Sequence, residues 1–406
     1  MQSCVCTGCG CLCDDIGVEV EGGVLSRIEN ACAKGVAYLR SAGDPARRPR
    51  SLVAGREVSL DQAIEEAADL LSGAENCLVF GLDSSTIEAQ QAGVELARVL
   101  GAVIDDGSFF AFGDLMERIT NGEVPTCSLG DIKDNADLLV YWGSDPPHTH
   151  PRHLSMFTYL TYSDFDPIGW LPKGVKLTCV DVRDSEFMSV CRPAFKIEPG
   201  GDREFIRAVM DAADTHPEAA AFAKLVGAAQ FCVVFCGQGL TYSLGGDFGI
   251  FCEMVNGLAQ SRRMAVIPMV AEANMRGFAA TLREATGRVN QVSFSGGVLH
   301  GQRLSFLEQV RNHNADCLLV VGADPFATLP QGVMAELVDA DIVCLSSFVT
   351  ATTAAADVVI PVAVPGVEYG GKMLRMDGDE VSTAGVIEAS YPHDADVLRR
   401  LLESAL

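Results

Sequence analysis

From Ser51 onward the apolar residues keep two alternating rhythms. Leu60, Ala63, Ile64, Ala67 and Leu71 fall at helical spacing, behind a Ser59 and Gln62 capping box that opens the helix. Cys77-Leu78-Val79-Phe80 reads as a buried strand. Asp83-Ser84-Ser85 then turns the chain into a second helix, running through Ile87, Val94 and Ala97 to Leu100 and ended by Gly101. Similar apolar runs recur at Leu138–Tyr141, Lys176–Val180, Phe231–Phe235, Ala265–Ile267, Cys317–Val321 and Ile342–Leu345, most of them separated by helical patterns. Short apolar strands alternating with helices predict parallel sheets covered on both faces. The runs are too many for one small sheet, so the fold class is α/β with two such domains. The segment before Ser51 differs. Alternating Ile16, Val18, Val20 and Val24 predict a hairpin around Gly22-Gly23 inside a small, cysteine-rich domain.

Composition narrows this picture. The chain has 406 residues, 48% hydrophobic and 21% charged, which is ample for packed cores. A net charge of -24 argues against a nucleic-acid groove and against an anionic membrane surface. No apolar stretch approaches the roughly 18 residues of a bilayer span. The cysteine run begins at Cys4 and leaves no room for a leader, so a cytoplasmic location is expected. Fifteen cysteines in that compartment are not a disulfide framework, and their clustering points to metal.

Cys6-x2-Cys9-x3-Cys13 puts three thiolates around one loop, and Cys32, further along the chain, closes the set as a fourth. That set suits a cubane iron–sulfur cluster, and an all-cysteine zinc site uses similar spacing. Cys4 and Cys11 lie outside the register. Lys34 is either a bridge from the metal group to a neighbouring ligand or a solvated lysine. Cys127, in the polar loop Pro125-Thr126-Cys127-Ser128-Leu129-Gly130, is a candidate nucleophile or metal ligand, or else a buried structural cysteine. His148-Thr149-His150-Pro151-Arg152-His153 lacks the spacing of a helical metal site and better suits contact with an anion or cofactor. Arg276, in Asn274-Met275-Arg276-Gly277-Phe278, can clamp a carboxylate or sit as an ordinary surface arginine. The chain also contains an internal echo. Ala136–Pro146 and Ala315–Pro325 are both strands closing in Gly-x-Asp-Pro. Ligands in open parallel sheets bind beyond such strand ends, so the pair suggests a two-lobed ligand or two ligands, against simple duplication of a turn.

In this order the pieces resemble the molybdopterin/tungstopterin oxidoreductases, most closely the B subunit of formylmethanofuran dehydrogenase. The resemblance is carried by the cysteine run with Cys32-x-Lys34-Gly35, by Pro125-Thr126-Cys127 with Leu129-Gly130, and by Tyr141-Trp142-Gly143 with the histidine segment. It continues through Asn274–Phe278, Thr350–Ala354, Ala356–Pro361, Glu368-x-Gly370-Gly371 and Arg375-Met376-Asp377-Gly378. It implies a formate dehydrogenase-like fold of three parts. An iron–sulfur domain covers 1–50, and an α/β domain over 51–115 and 285–406 contacts one pterin guanine dinucleotide. An inserted α/β domain over 116–284 contacts the other and carries the metal-ligating cysteine.

The resemblance also implies site residues. Cys6, Cys9, Cys13 and Cys32 hold a [4Fe-4S] cluster, and Cys127 ligates Mo or W of a bis-molybdopterin guanine dinucleotide. Arg276 orients substrate, with His148 or His150 as proton-handling candidates. Lys34, Gly143, Ser144, Asp145, Arg152, His153, Asp181, Arg183, Gly237, Gly239, Gly322, Asp324, Thr350 and Arg375 contact the cofactor. The implied activity is reversible reduction of CO2 to formate, with formate passed to an amidohydrolase-type A subunit that formylates methanofuran. Implied partners are also a C-type subunit, ferredoxin-like electron carriers and a D-type subunit expected to complete the pterin pocket, because the resemblance leaves no capping domain to be expected after Leu406. Two departures are visible. Formate dehydrogenases place a histidine where this chain has Ser128, and they are much longer. A non-redox scaffold in a formyltransferase/hydrolase complex, or an electron relay with a degenerate pterin fold, are the competing expectations.

Overall fold

The computed structural model describes residues 1–158, 174–211, 216–337 and 339–406. The chain forms two compact units. One comprises Met1–Gly107, Glu272–Arg375 and Glu380–Leu406; the other comprises Ser108–Ala271 and Met376–Asp379.

The first unit opens with an antiparallel sheet of Gln2–Cys6, Cys13–Glu21 and Val24–Glu29. Its hairpin turns at Gly22 and Gly23, both at positive φ, as the alternation predicts. The unit's large sheet has five parallel central strands among the described residues. In spatial order they are Val103–Asp105, Cys77–Gly81, Cys317–Val321, Asp341–Ser346 and Val358–Pro361. Antiparallel Val292–Ser293 and Leu52–Val53 flank them. The helix Leu60–Gly73 starts at the expected capping box, where Ser59 and Gln62 exchange side-chain and backbone bonds. It buries Ala63, Ile64, Ala67 and Leu71. Those residues join one core with Val79, Leu319, Val343 and Leu398.

The second unit is a five-stranded parallel sheet among the described residues. Its order is Ala194–Lys196, Lys176–Asp181, Leu138–Trp142, Phe231–Cys236 and Arg263–Pro268. Its central strands are buried on both faces, which is why they read as continuous apolar runs rather than alternating ones. Trp142, fully buried, packs edge-on against Phe205, Phe222 and Phe251. Its indole N–H donates to Asp202 at 2.6 Å, the polar partner that a buried tryptophan needs.

Strand order reverses once in each sheet. In the second unit the chain leaves Leu138–Trp142 for two strands on one side, then returns to its other side with Phe231–Cys236. In the first, Cys77–Gly81 lies between Val103–Asp105 and Cys317–Val321. Such reversals open a crevice at the carboxyl ends of the strands, where ligands of α/β sheets bind. Among the described residues no helix is long and apolar enough to cross a membrane.

Candidate functional site

The N-terminal thiols are gathered by the first small sheet. Cys6 ends one strand, Cys13 begins the next, and the two pair across the ladder. The loop between them tightens where the Leu12 N–H donates to the Cys9 carbonyl at 3.1 Å, with Leu12 at φ 40. Cys32 caps the helix Ala33–Ser41 and accepts the Gly35 N–H on its sulfur at 3.3 Å. A Cβ at Gly35 would stand 3.1 Å from the Cys6 sulfur and 3.6 Å from that of Cys32, so the missing side chain keeps the space between them open.

Cys11 is buried, with its thiol beside those of Cys9 and Cys13. The Cys9 thiol is brought down to about 7, chiefly by the Cys11 side chain, with the Cys11 backbone and the Lys34 charge assisting. Burial, with the neighbouring thiols, pushes Cys6 up to about 12. Cys4 turns away: it is buried and donates to the Gly366 carbonyl at 3.5 Å. All fifteen cysteines are free thiols. Among the described residues, no three His, Cys, Asp or Glu side chains are grouped as ligands of a metal ion.

In the first unit, the strand ends at the reversal are built for close backbone approach. Gly81, at φ 103, has no room for a side chain: a Cβ would lie 2.4 Å from the Val321 carbonyl. Asn274 then organises the crevice. Its backbone N–H donates to the Asp83 carbonyl at 2.7 Å. Its amide donates to the Ser85 carbonyl at 2.7 Å, and its side-chain oxygen accepts from the Leu374 N–H at 2.7 Å. Buried Gln90 ties the Leu82 and Asn274 carbonyls together, each at 3.0 Å. Arg276, nearly buried, stands on the first turn of the helix Met275–Thr286 that Asn274 introduces. Asp83 is buried with one carboxylate oxygen lacking a partner among the described residues. Burial, then the charges of Glu272 and Asp106, hold its carboxyl well above the usual range. Lys34 is exposed at the surface of this unit.

The two Gly-x-Asp-Pro ends share a geometry but not a role. Gly143 and Gly322 have φ 61 and φ 63, and each proline starts a one-turn helix. Asp324, however, is consumed locally. Its carboxylate accepts from the Thr352 N–H at 2.9 Å, the Thr352 hydroxyl at 2.7 Å and the Ala351 N–H at 3.3 Å. Thr350 is likewise engaged, as the cap of the helix Ala351–Ala355. One Asp145 oxygen lies 3.0 Å from the His148 Nδ1. The other is buried without a partner among the described residues.

Around Asp145 the second unit forms a glycine cradle. Gly237 donates to the Trp142 carbonyl at 2.9 Å and Gly239 to the Gly143 carbonyl at 3.1 Å. A Cβ on Gly143 would lie 2.3 Å from the Leu240 nitrogen. Asp181 holds Arg183 through two guanidinium contacts of 3.3 Å each. His150 is buried, with Nε2 2.7 Å from the Val270 carbonyl and Nδ1 2.9 Å from the Thr149 hydroxyl, so both nitrogens are engaged. His153 lies buried against Tyr141 and Phe235, and burial lowers its pKa well below the usual value. Ser144, Arg152 and Arg375 are buried or half-buried.

Cys127 occupies a loop leading into the helix Leu129–Asn135. Partial burial pushes its thiol up to about 12, and Asp131, Asp377 and Asp379 add to this against the opposing charge of Arg263. Ser128 caps the helix, its hydroxyl accepting from the Asp131 N–H at 3.1 Å. Of the fifteen cysteines only Cys9, Cys32 and Cys127 are partly exposed; the others are buried. Nothing in the sequence pattern marks Asn274 or Gln90 as organisers of the crevice. For Asp83 the available signal is Gly81-x-Asp83, which repeats the Gly-x-Asp pattern of the other strand ends.

No protein-family model matches the chain. The B subunit of tungsten-containing formylmethanofuran dehydrogenase 2 from Methanocaldococcus jannaschii is 29% identical over 428 residues, covering 99% of this chain and 98% of its own. The protein of the same name from Methanococcus maripaludis is 28% identical over 430 residues, covering 99% of this chain and 98% of its own. Among solved structures, a chain of the formyltransferase/hydrolase complex FhcABCD from Methylorubrum extorquens, crystallised with methylofuran, aligns with a TM-score of 0.68 at 22% identity, over 87% of this chain and 98% of that one. Acetylene hydratase from Pelobacter acetylenicus aligns with a TM-score of 0.63 at 13% identity, over 100% of this chain and 69% of its own. At those identities the two structures establish the fold, which is the one expected for the α/β portion. Along nearly its whole length the chain is a homologue of the B subunit of formylmethanofuran dehydrogenase.

Proposed function

We propose that this chain is the redox subunit of a formylmethanofuran dehydrogenase, reversibly reducing CO2 to formate at a molybdenum or tungsten bis-pterin centre. The observation that carries the reading is the exposure of Cys127. A buried structural cysteine is inert, whereas a partly exposed one in a polar loop is available as a ligand. The relatives are named tungsten-containing, which agrees.

The residues present fit the groups proposed. The Gly35 gap between Cys6 and Cys32, with Cys9 and Cys13 on the adjoining loop, accommodates a [4Fe-4S] cluster held by those four sulfurs. The Asp145 oxygen that has no partner among the described residues, with the cradle of Gly143, Gly237 and Gly239, suits hydrogen-bond donors of a nucleotide tail. Asp324 and Thr350 are spent on their own helix, so at that end Gly322 is the approach point. When bound, the metal pterin supplies a centre that accepts or delivers a hydride equivalent. Arg276 holds the substrate carboxylate through its guanidinium. Two residues before it, Asn274 is fixed by its bonds to Gln90 and Ser85, so the start of the helix that carries the clamp is preorganised. Lys34 presents its charge beside the cluster cysteines. Ser128 serves as a helix cap rather than a proton donor, and His148, beside Asp145, is the proton carrier of the histidine segment.

The neighbouring fold from a formyltransferase/hydrolase complex favours the scaffold reading, but a scaffold has no use for a partly exposed Cys127 or for the run of N-terminal cysteines. The proposal places the chain in a cytoplasmic complex with A-, C- and D-type subunits and ferredoxin-like carriers. Replacing Cys127→Ala in the purified complex is expected to abolish CO2 reduction while leaving hydrolysis of added formylmethanofuran intact. Unchanged CO2 reduction would remove Cys127 from the mechanism.

A further inference from the structure

We infer that Asp377 is the positioning residue of the Cys127 loop, an inference that rests on the reading of Cys127 as a ligand. A loop that presents a sulfur must hold its backbone on both sides of that residue, because small misplacements cost large factors in rate. Upstream, the Pro125 carbonyl accepts the Val266 N–H of the strand Arg263–Pro268 at 2.8 Å. Downstream, the Leu129 N–H donates to a carboxylate oxygen of Asp377 at 2.6 Å. Between those anchors lie only Thr126, Cys127 and Ser128.

Asp377 comes from far along the chain, 248 positions from Leu129, yet Met376–Asp379 belongs to the same unit as the loop. Both bonded partners are buried, Asp377 at 5% and Leu129 at 0% exposure. The second carboxylate oxygen accepts the Asp379 N–H at 3.3 Å, which fixes the rotamer of the side chain. A charge-assisted bond from a buried carboxylate to a backbone N–H is among the stronger hydrogen bonds a protein makes. It also satisfies a first-turn N–H of the helix Leu129–Asn135, complementing the Ser128 cap. An alanine at 377 removes both acceptors, whereas an asparagine can turn its amide oxygen toward Leu129 and lose only the Asp379 bond.

The test uses the full chain and two variants. In the wild type, hydrogen exchange at the Leu129 amide is expected to be strongly protected, and a Leu129 amide exchanging at the unprotected rate would overturn the inference without any variant. Asp379→Asn removes a similar nearby charge without touching the Leu129 bond, and it sets the baseline for alkylation of Cys127 by iodoacetamide at one fixed pH. Asp377→Ala is expected to alkylate about tenfold faster than that baseline, because the loop is released. Equal rates in the two variants would overturn the inference. In the complex, Asp377→Ala is expected to lower kcat for CO2 by about tenfold with KM unchanged, the signature of a lost transition-state geometry. A rise in KM alone would contradict it. Alkylation and exchange need no metal, so their failure is distinguishable from absence of tungsten or molybdenum, which would refute the proposed function instead.

Discussion

Arg48 is the most demanding residue outside the site. It lies in the basic stretch Arg47-Arg48-Pro49-Arg50 and reaches Glu368, 320 positions away, at 2.6 Å. The side chains are 7% and 1% exposed, so this is a buried ion pair. Arg48 also donates to the Val362 carbonyl at 3.2 Å. Its guanidinium lies over the rings of Tyr391, at 5.2 Å, and Phe348, at 5.8 Å, within cation–π range. Glu368 is committed further, accepting from the Val364 N–H at 2.6 Å and the Ser390 N–H at 3.1 Å. Replacing Arg48→Met preserves most of the volume but leaves a buried, uncompensated carboxylate, a loss of about 3–5 kcal/mol. For a unit of this size that corresponds to a fall in melting temperature of roughly 6–20 °C. The exposed pair Arg50 and Glu57, 2.7 Å apart, is the control: Arg50→Ala should leave the melting temperature nearly unchanged. Differential scanning fluorimetry on the chain measures both. A loss below about 1 kcal/mol for Arg48→Met would refute the claim that Glu368 depends on its partner.

Two further predictions concern proton and metal chemistry. Asp105 ends the strand Val103–Asp105 and accepts from the Phe306 N–H at 2.7 Å and the Gln291 N–H at 3.1 Å, yet burial pushes its carboxyl up to about 7. The folded state therefore keeps a proton the unfolded chain releases, so this group lowers stability as pH rises from about 4 to about 7 and no further above that. Asp105→Asn should remove this slope: urea midpoints of variant and wild type should diverge across that window in the variant's favour, and parallel curves would contradict it. Cys4→Ser should leave the iron content of the complex unchanged, because its thiol faces the Gly366 carbonyl, whereas Cys6→Ser should lose iron. Iron lost in Cys4→Ser would show that the register begins at Cys4.

Much of the architecture is legible in the sequence for simple reasons. Strands buried on both faces leave continuous apolar runs, so Leu138–Trp142 and Cys317–Val321 stand where those runs place them. Ser59 and Gln62 spell out a capping box because that motif is local in sequence. Roles set by distant contacts are not legible. The two Gly-x-Asp-Pro ends look alike, but Asp324 binds the start of a helix that begins 27 positions later, while Asp145 keeps an oxygen free of such bonds. His150 reads as a proton carrier in the sequence, and only the fold shows Val270 and Thr149 holding its ring. Ser128 reads as a missing histidine, whereas its position makes it a helix cap. The spacing of the cysteines proposes a register, but the closeness of Cys11 to both Cys9 and Cys13 cannot be read from it.

The central claim is that Cys127 ligates a pterin-bound metal in a chain that also carries an iron–sulfur cluster. Elemental analysis of the purified complex, combined with electron paramagnetic resonance of its reduced form, tests it most directly. The account predicts tungsten or molybdenum alongside iron, with the metal's resonance altered in Cys127→Ser and the cluster signal unchanged. A fully assembled complex that contains neither tungsten nor molybdenum would contradict it.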